Sequence, residues 1–455
     1  MTDARAPLHL KLTFAPTGDG ANLHWQADVL GTRTSILAPP IPSGDLALVL
    51  RALDVLQDPC YPYARTAEQT RHFAFNDDEC DRLAALDLFG PTGCVLRDAP
   101  RRLGRHLFAA LTADPQAREA LATVRDHATA LGCPLSLTLA FPPGTERLAA
   151  LPWELLWDDG PTPLLLSRGL AGGLTRCLAL AQALPPLRQG SGPLRILALS
   201  PQSGITPELR QVERAARTAA LGPLIATGRA MVEEIEPASR AALVQAIETG
   251  GPPDIVHFYG HGRMRDGNGE LRLDDPGEAG WLTAGALAAL LGGVGLVTLY
   301  ACHGAGASVA VEGGDPLLGG VAQALVAAGV PAVLGMQLAV RATAATRAAA
   351  TMYRALADGR GLQTGLAVAR RALFVEERDG ASWFVPALYL RAQGSEPFTL
   401  RAASIAPAQT GANQRVIAHN GGAIRALRLQ GRAGSSQRVI AASGGTISDV
   451  MITDR

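Results

Sequence analysis

Neither sign of charge prevails in this chain: Lys+Arg and Asp+Glu both number 41 across 455 residues. Without a net field it has no global means of holding nucleic acid or an anionic membrane, so no nucleic-acid partner is expected. Cysteine pairing is also missing. Cys60, Cys80, Cys94, Cys133, Cys177 and Cys302 are scattered, with no C-x-x-C among them. That speaks against a zinc ribbon and against a disulfide-dense secreted scaffold. The opening MTDARAPLHLKL has no charged segment leading into an apolar one, so a signal peptide is not expected and a reducing cytoplasm is. No G-x-x-x-x-G-K-S/T is present, which excludes that type of nucleotide motor, and no G-x-S-x-G appears. HGAGAS is too short and wrongly placed for a dinucleotide site. Long apolar runs are interrupted: 282–301 and 316–340 carry no charge, but Gly292, Gly293 and Gly295 break the first and Gly329 and Pro331 the second. Each reads as a helix followed by a strand covered on both faces, so no stable membrane insertion is expected.

The chain does hold enough apolar residue, 47%, for a sizeable interior, and enough length for two or three domains. Residues 1–185 predict a mixed α+β domain. LHLKLTF and ANLHWQADVL read as strands around the turn TGDG. Helical spacing appears over 45–57 after the cap candidate Ser43, again from about 81, and over 99–131, before the strand PLSLTLAF. The end of this domain, about 135–185, is expected to dock on the next domain, which begins after the Pro-rich linker ALPPLRQGSGP. Over 194–393 strands and helices alternate: LRILALS, MVEEIE, DIVHFYGH, GLVTLYAC and AVLGMQ are separated by helical stretches. The fold class this implies is α/β, a mostly parallel sheet with helices on both faces. Residues 411–455 form a small β-rich tail with a two-unit repeat: QRVIAHNGGAIRAL from Gln414 and QRVIAASGGTISDV from Gln437, an offset of 23 residues. Each unit reads as strand, Gly-Gly turn, strand, and needs stacking to bury its apolar face.

Chemistry concentrates at two strand ends. In open α/β sheets ligands sit beyond the carboxyl ends of the strands. DIVHFYGHG ends there with His261 and Gly262, and GLVTLYACHG with Cys302. If those strands are parallel neighbours, a thiol and an imidazole converge, as an activated thiolate requires. The N–H groups of Gly262 and Cys302 then offer an oxyanion hole. Other readings stay open at this point: a Cys closing an apolar strand also serves as a small buried hydrophobe, and a lone His as a core hydrogen-bonding group. His257, His261, Cys302 and His303 have metal-ligand chemistry as well. However, the strand-end bend disturbs the pleat that would align the two strand histidines, and no metal is expected.

Four blocks then occur in order over roughly 135–390: LPWELLWDDGPTPLLLSR, DIVHFYGHGRMRDGNGELRLDD, LVTLYACHGAG and GGVAQALVAAGVPAVLGMQ. They resemble the CHAT family, of the caspase and separase group of cysteine peptidases. The resemblance implies a caspase-like fold and cofactor-free hydrolysis of protein substrates through an acyl-enzyme. His261 would serve as general base and acid, and Cys302 as nucleophile. It further implies a regulated effector of bacterial defence or cell death, silent until an activating sensor or partner engages it. Two departures stand out: His303 where the family commonly has Gln or Glu, and 337–341 (QLAVR) where relatives carry Trp-Pro and acidic residues. Alternation puts Tyr300 on the side of Cys302, and in caspase-like folds this position helps line the substrate pocket. An uncharged Tyr300 suggests an uncharged substrate residue, with Asp315 a second pocket candidate and Glu312, Asp254 and Arg341 charges that could overturn this. LPWELLWDD reads as core packing. For the tail, Gln414, Gly421, Gly422, Gln437, Gly444 and Gly445 are candidates for partner contact, because such units resemble amyloid-type signalling motifs. A packed appendage is the plainer alternative. The competing function is a catalytically silent scaffold or adaptor of the same fold.

Overall fold

The structure, a computed structural model, describes residues 7–18, 20–167, 173–178, 192–266, 268–302, 320–376 and 381–391, and the backbone of six short strands between 414 and 454. The chain begins with an antiparallel meander of β1 (Leu8–Thr17), β2 (Gly20–Ala27) and β3 (Gly31–Leu37). Its alternation sends Leu10, Leu12, Phe14, Leu23 and Trp25 inward. Helices α1 (Leu46–Val55), α2 (Ala67–Phe73) and α3 (Asp77–Ala85) come next. Ser43 opens a short 3₁₀ turn rather than capping α1. The helical stretch predicted over 99–131 is two helices, α4 (Ala99–Leu111) and α5 (Pro115–Leu131). The break is Asp114-Pro115. The Asp114 carboxylate accepts the N–H of Gln116 at 2.8 Å and of Ile36 at 2.8 Å, while Pro115 needs no acceptor at the first helical position.

After β4 (Leu135–Phe141), α6 (Glu146–Ala150) and β5 (Gly173–Leu178), the predicted alternation appears. It runs β6 (Leu194–Leu199), α7 (Pro207–Ala226), β7 (Ala230–Ile235), α8 (Arg240–Gly250) and β8 (Ile255–Tyr259). Ser239 caps α8 as its sequence suggests, its Oγ accepting from Ala242 N–H at 3.2 Å. A small antiparallel sheet, β9 (Gly262–Arg265), β10 (Asn268–Arg272) and β11 (Trp281–Thr283), leads to α9 (Ala284–Leu290). Helix α9 therefore starts three residues later than WLTAGALAALL suggests, because Trp281–Thr283 pairs with β10. The order closes with β12 (Leu296–Tyr300), α10 (Val321–Ala327), β13 (Ala332–Met336), α11 (Ala342–Ala357), α12 (Leu362–Glu376) and β14 (Pro386–Leu390).

One sheet of eleven strands runs through all of this, in the order β3-β2-β1-β4-β5-β14-β13-β12-β8-β6-β7. The neighbours β6, β7, β8, β12 and β13 are parallel, as are β1, β4 and β5. The halves meet where β14, antiparallel to β13, runs parallel to β5. The stretches 1–185 and 194–393 thus contribute strands to a single sheet, and residues 1–400 form one compact unit. Strands β4, β8, β12, β13 and β14 are buried at every position, which requires cover on both faces.

Residues 401–455 form a second unit. It holds β15 (Gln414–Ala418), β16 (Ala423–Ile424), β17 (Arg428–Gly431), β18 (Gln437–Ala441), β19 (Thr446–Ile447) and β20 (Met451–Asp454). They pair in parallel as β15 with β18, β16 with β19 and β17 with β20.

Candidate active site

Strands β8 and β12 are adjacent and parallel, with Tyr259 opposite Tyr300 at their last residues. His261 and Cys302 lie two residues on from that pair, at the same level beyond the carboxyl edge. The backbones touch here: a Cβ on Gly262 would lie 2.3 Å from the Cys302 carbonyl oxygen, a separation no side-chain-bearing residue tolerates. Glycine at 262 is therefore a condition of bringing the two chain segments together. The His261 ring is exposed, and its Nε2 lies 3.0 Å from the carbonyl oxygen of Gly204, to which an Nε2–H can donate. Gly204 has φ +82°, and a Cβ there would stand 2.7 Å from Nε2. The backbone carbonyl of His261 accepts from Arg272 N–H at 2.9 Å, tying this turn to the small β9–β11 sheet.

The Cys302 thiol is half-buried. Burial raises its pKa above the ordinary value and the charge of Asp54 adds to this, outweighing the backbone N–H groups of Val340 and of Cys302 itself, which favour the thiolate. The resting sulfur is thus a thiol facing the segment 337–341. That segment is held from two sides. Asp54, in the last turn of α1, accepts the N–H of Ala339 at 2.7 Å, and Arg341 Nε donates to the carbonyl of Gln57 at 3.0 Å. His72 Nε2 stands 3.6 Å from Asp54 Oδ2. On the other side, a cavity of about 960 Å³ opens beside Arg341, with Leu56, Tyr61, Arg97 and Ala381 also in its walls.

The segment is anchored at Gln337. Its Nε2 donates to Glu154 Oε2 at 2.9 Å and to the Phe384 carbonyl at 3.0 Å, and its Oε1 accepts from Arg176 Nη2 at 2.8 Å. Glu154 and Arg176 form a fork-on-fork ion pair with Nε–Oε1 at 3.0 Å and Nη2–Oε2 at 2.5 Å, and Arg370 Nη2 lies 3.6 Å from Oε1. All three are at most 1% exposed. Burial would raise the Glu154 pKa, but the two guanidinium groups hold it below the ordinary value; Arg370, in surroundings that burial makes unfavourable for charge, is lowered to about 10. LPWELLW is core packing, as its sequence suggests, with this charge at its centre.

His257 does not share the rim with His261. Fully buried, it has Nε2 2.9 Å from Glu213 Oε1 and Nδ1 3.0 Å from the Tyr353 hydroxyl. Burial lowers its pKa, so the neutral imidazole donates to Glu213 and accepts from Tyr353. Among the described residues no group of three His, Cys, Asp or Glu side chains is placed to hold a metal. Tyr300 is 2% exposed, its ring against His257 and its hydroxyl 3.8 Å from Met352 Sδ. The position expected to line a substrate pocket is filled by a core side chain. His303, Glu312 and Asp315 lie outside the described residues, as do Gly421, Gly422, Gly444 and Gly445; Gln414 and Gln437 face each other at the start of the first tail pairing.

Three contributors were not found in the sequence. Asp54 and Gly204 sit in distant segments with no motif, and Val340 acts through its backbone. Glu154 and Arg176 did carry a signal, a charge inside an otherwise apolar run, which burial permits only with a partner. Among the described residues no helix is long and apolar enough to cross a membrane.

A family model described as CHAT domain matches residues 101–406. No curated protein matches the chain. Among solved structures it is similar to the Saccharomyces cerevisiae separase of a separase–securin complex, at TM-score 0.47 and 11% identity over 84% of this chain. The match spans 30% of that separase chain. It is also similar to the Arg specific cysteine proteinase gingipain R, at TM-score 0.40 and 11% identity, over 61% of this chain and 68% of that one.

Proposed function

Because the chain belongs to the CHAT family, we propose that it is a cysteine endopeptidase acting on protein substrates through Cys302 and His261. The observation that carries this reading is the β8–β12 register, which brings both residues to one level on neighbouring strand ends. In the reaction His261 takes the thiol proton and the Cys302 sulfur attacks the scissile carbonyl. The backbone N–H groups of Gly262 and Cys302 stabilise the oxyanion, and His261 returns its proton to the leaving amine; water then hydrolyses the acyl-enzyme. The described geometry is a resting one. His261 Nε2 is engaged by the Gly204 carbonyl and the thiol is held protonated, so activation requires the imidazole to leave that carbonyl.

The cavity beside Arg341 is the place for the substrate residue next to the cleaved bond. With Tyr300 buried, an uncharged preference loses its basis; Arg341, whose guanidinium has no carboxylate partner among the described residues, favours an acidic or carbonyl-rich side chain. Asp315 remains a second pocket candidate. Family membership supports the further reading of a cytoplasmic, regulated effector in bacterial defence or cell death, switched on by a partner that the tail around Gln414, Gly421, Gly422, Gln437, Gly444 and Gly445 engages. The elevated thiol pKa and the diverted imidazole favour one competing reading, a silent scaffold of the same fold.

Cleavage of a proteome-derived peptide library by wild type and by Cys302→Ala, with and without a candidate partner, separates the two. Cleavage by wild type alone establishes the protease and reads its specificity. No cleavage under any condition, together with failure of a thiol probe to label Cys302 in folded protein, establishes the scaffold.

A further inference from the structure

The tail pairs with itself in an unusual way. Three successive strands of the first unit each lie beside a strand of the second: Gln414 opposite Gln437, Ala423 opposite Thr446 and Arg428 opposite Met451. The separation is 23 residues in every case and every pairing is parallel, so the chain advances by one strand spacing per unit. Such a chain makes two stacked rungs, each of three short strands. The first pairing sets like on like for its whole length: Gln on Gln, Arg on Arg, Val on Val, Ile on Ile and Ala on Ala.

Each pairing is a sheet of only two strands, so every strand keeps one edge without a strand partner among the described residues. An unpaired edge of N–H and C=O groups is a template for another strand. Here the template is specific. The strand β15 that carries one such edge has the same sequence as β18, whose own ladder partner is β15. Whatever lets the second unit stack on the first within one chain therefore lets the second unit of one chain stack on the first of another. The contact is head-to-tail and does not close on itself, so it repeats. Nothing in 414–455 opposes this by the usual device, since the segment contains no proline.

From these pairings we infer that the tail is a self-assembly site whose partner is a second copy of the same tail. It adds rungs in register in the order first unit, second unit, first unit, second unit. The partner chemistry is backbone hydrogen bonding between identical rungs, about 4.8 Å apart. One cost is built in: the stack puts Arg415 and Arg438 in a column, and 414–455 holds six arginines against two aspartates. Like charges in register repel, so assembly strengthens as salt screens them. Self-assembly of the tail does not depend on whether Cys302 cleaves anything, and its failure leaves the protease reading intact.

The test uses the full chain carrying Cys302→Ala, so that self-cleavage plays no part, followed by sedimentation velocity at low and high NaCl. The expected result is a concentration-dependent series of species at twice the 47.3 kDa monomer mass and above, with at least a several-fold larger assembled fraction at high salt. Val416→Pro and Val439→Pro, made singly, each remove a donor from one rung and are each expected to return the protein to monomer, with the melting of the 1–400 unit unchanged. A monomer at every salt and concentration overturns the inference. So does assembly that survives both proline variants, and so does assembly that appears only on adding a different protein with a like tail.

Discussion

The Glu154 cluster and the His261–Cys302 rim stand at opposite ends of one short segment, 337–341, and are built on opposite plans. At Gln337 every contact is redundant: a carboxylate, a guanidinium and a backbone carbonyl hold one amide, all out of water. At the rim, His261 has a single carbonyl contact and an exposed ring. The contrast locates the rigidity of this fold. A floor that cannot shift lets Val340 meet the thiol in a fixed place, while the imidazole above keeps the freedom that switching needs.

Substitution at the floor should cost the most. Glu154→Ala leaves two buried guanidinium groups facing each other without their anion, and is expected to cost about 3–5 kcal/mol. Urea denaturation reads this directly; a loss under about 1 kcal/mol would mean that the cluster is not the rigid floor of the site. A second closed cluster makes a similar test at lower cost. Burial opposes ionisation of Glu213, but His257 and Arg217 more than offset it and hold its pKa at about 2. A depressed carboxyl stabilises the fold above its unfolded pKa of about 4.5 and loses that contribution as pH falls towards 2. Glu213→Gln should lower stability at neutral pH by about 1–3 kcal/mol. It should also flatten the loss between about pH 4.5 and 2, which thermal melts across that range would measure.

The rim should answer in rate rather than stability. Gly204→Ala introduces a Cβ at an unfavourable φ and against the imidazole, so turnover is expected to fall about tenfold or more, with a stability loss of only about 1 kcal/mol. Equal losses in both would erase the distinction between floor and rim. The smallest effect belongs to Asp54→Asn. It removes the charge that helps keep Cys302 protonated while leaving an oxygen for the Ala339 N–H. Alkylation of Cys302 near about pH 8 should then speed up by a few-fold, with its pH profile displaced downward; an unmoved profile would leave burial as the sole cause.

Periodicity made the parallel half of the fold legible, because strands covered on both faces announce themselves as apolar runs. It also placed His261 and Cys302, since both close such runs. What it missed was set by contacts between remote segments. GLTRCL carries a charge in mid-strand, and only the buried Glu154 explains why Arg176 is tolerated there, so β5 and the union of the two halves through it went unforeseen. Tyr300 was placed at a pocket by alternation, but the face it shares is filled by His257, Tyr353 and Met352. In the tail the third strand of each unit was hidden, because RLQG and MITD share no residue that a repeat would reveal.

The pairing of β14 with β5 has a mechanical meaning. Strand β5 precedes the Pro-rich linker and β14 comes after it, so the ladder from Arg176 to Tyr389 stitches the chain across the very stretch where a processing enzyme would cut. A break anywhere in 179–191 would yield two polypeptides but still one particle. The fragments would behave as a complementation pair, separable by denaturant but not by dilution. Maturation by cleavage there could sever the backbone without releasing either half.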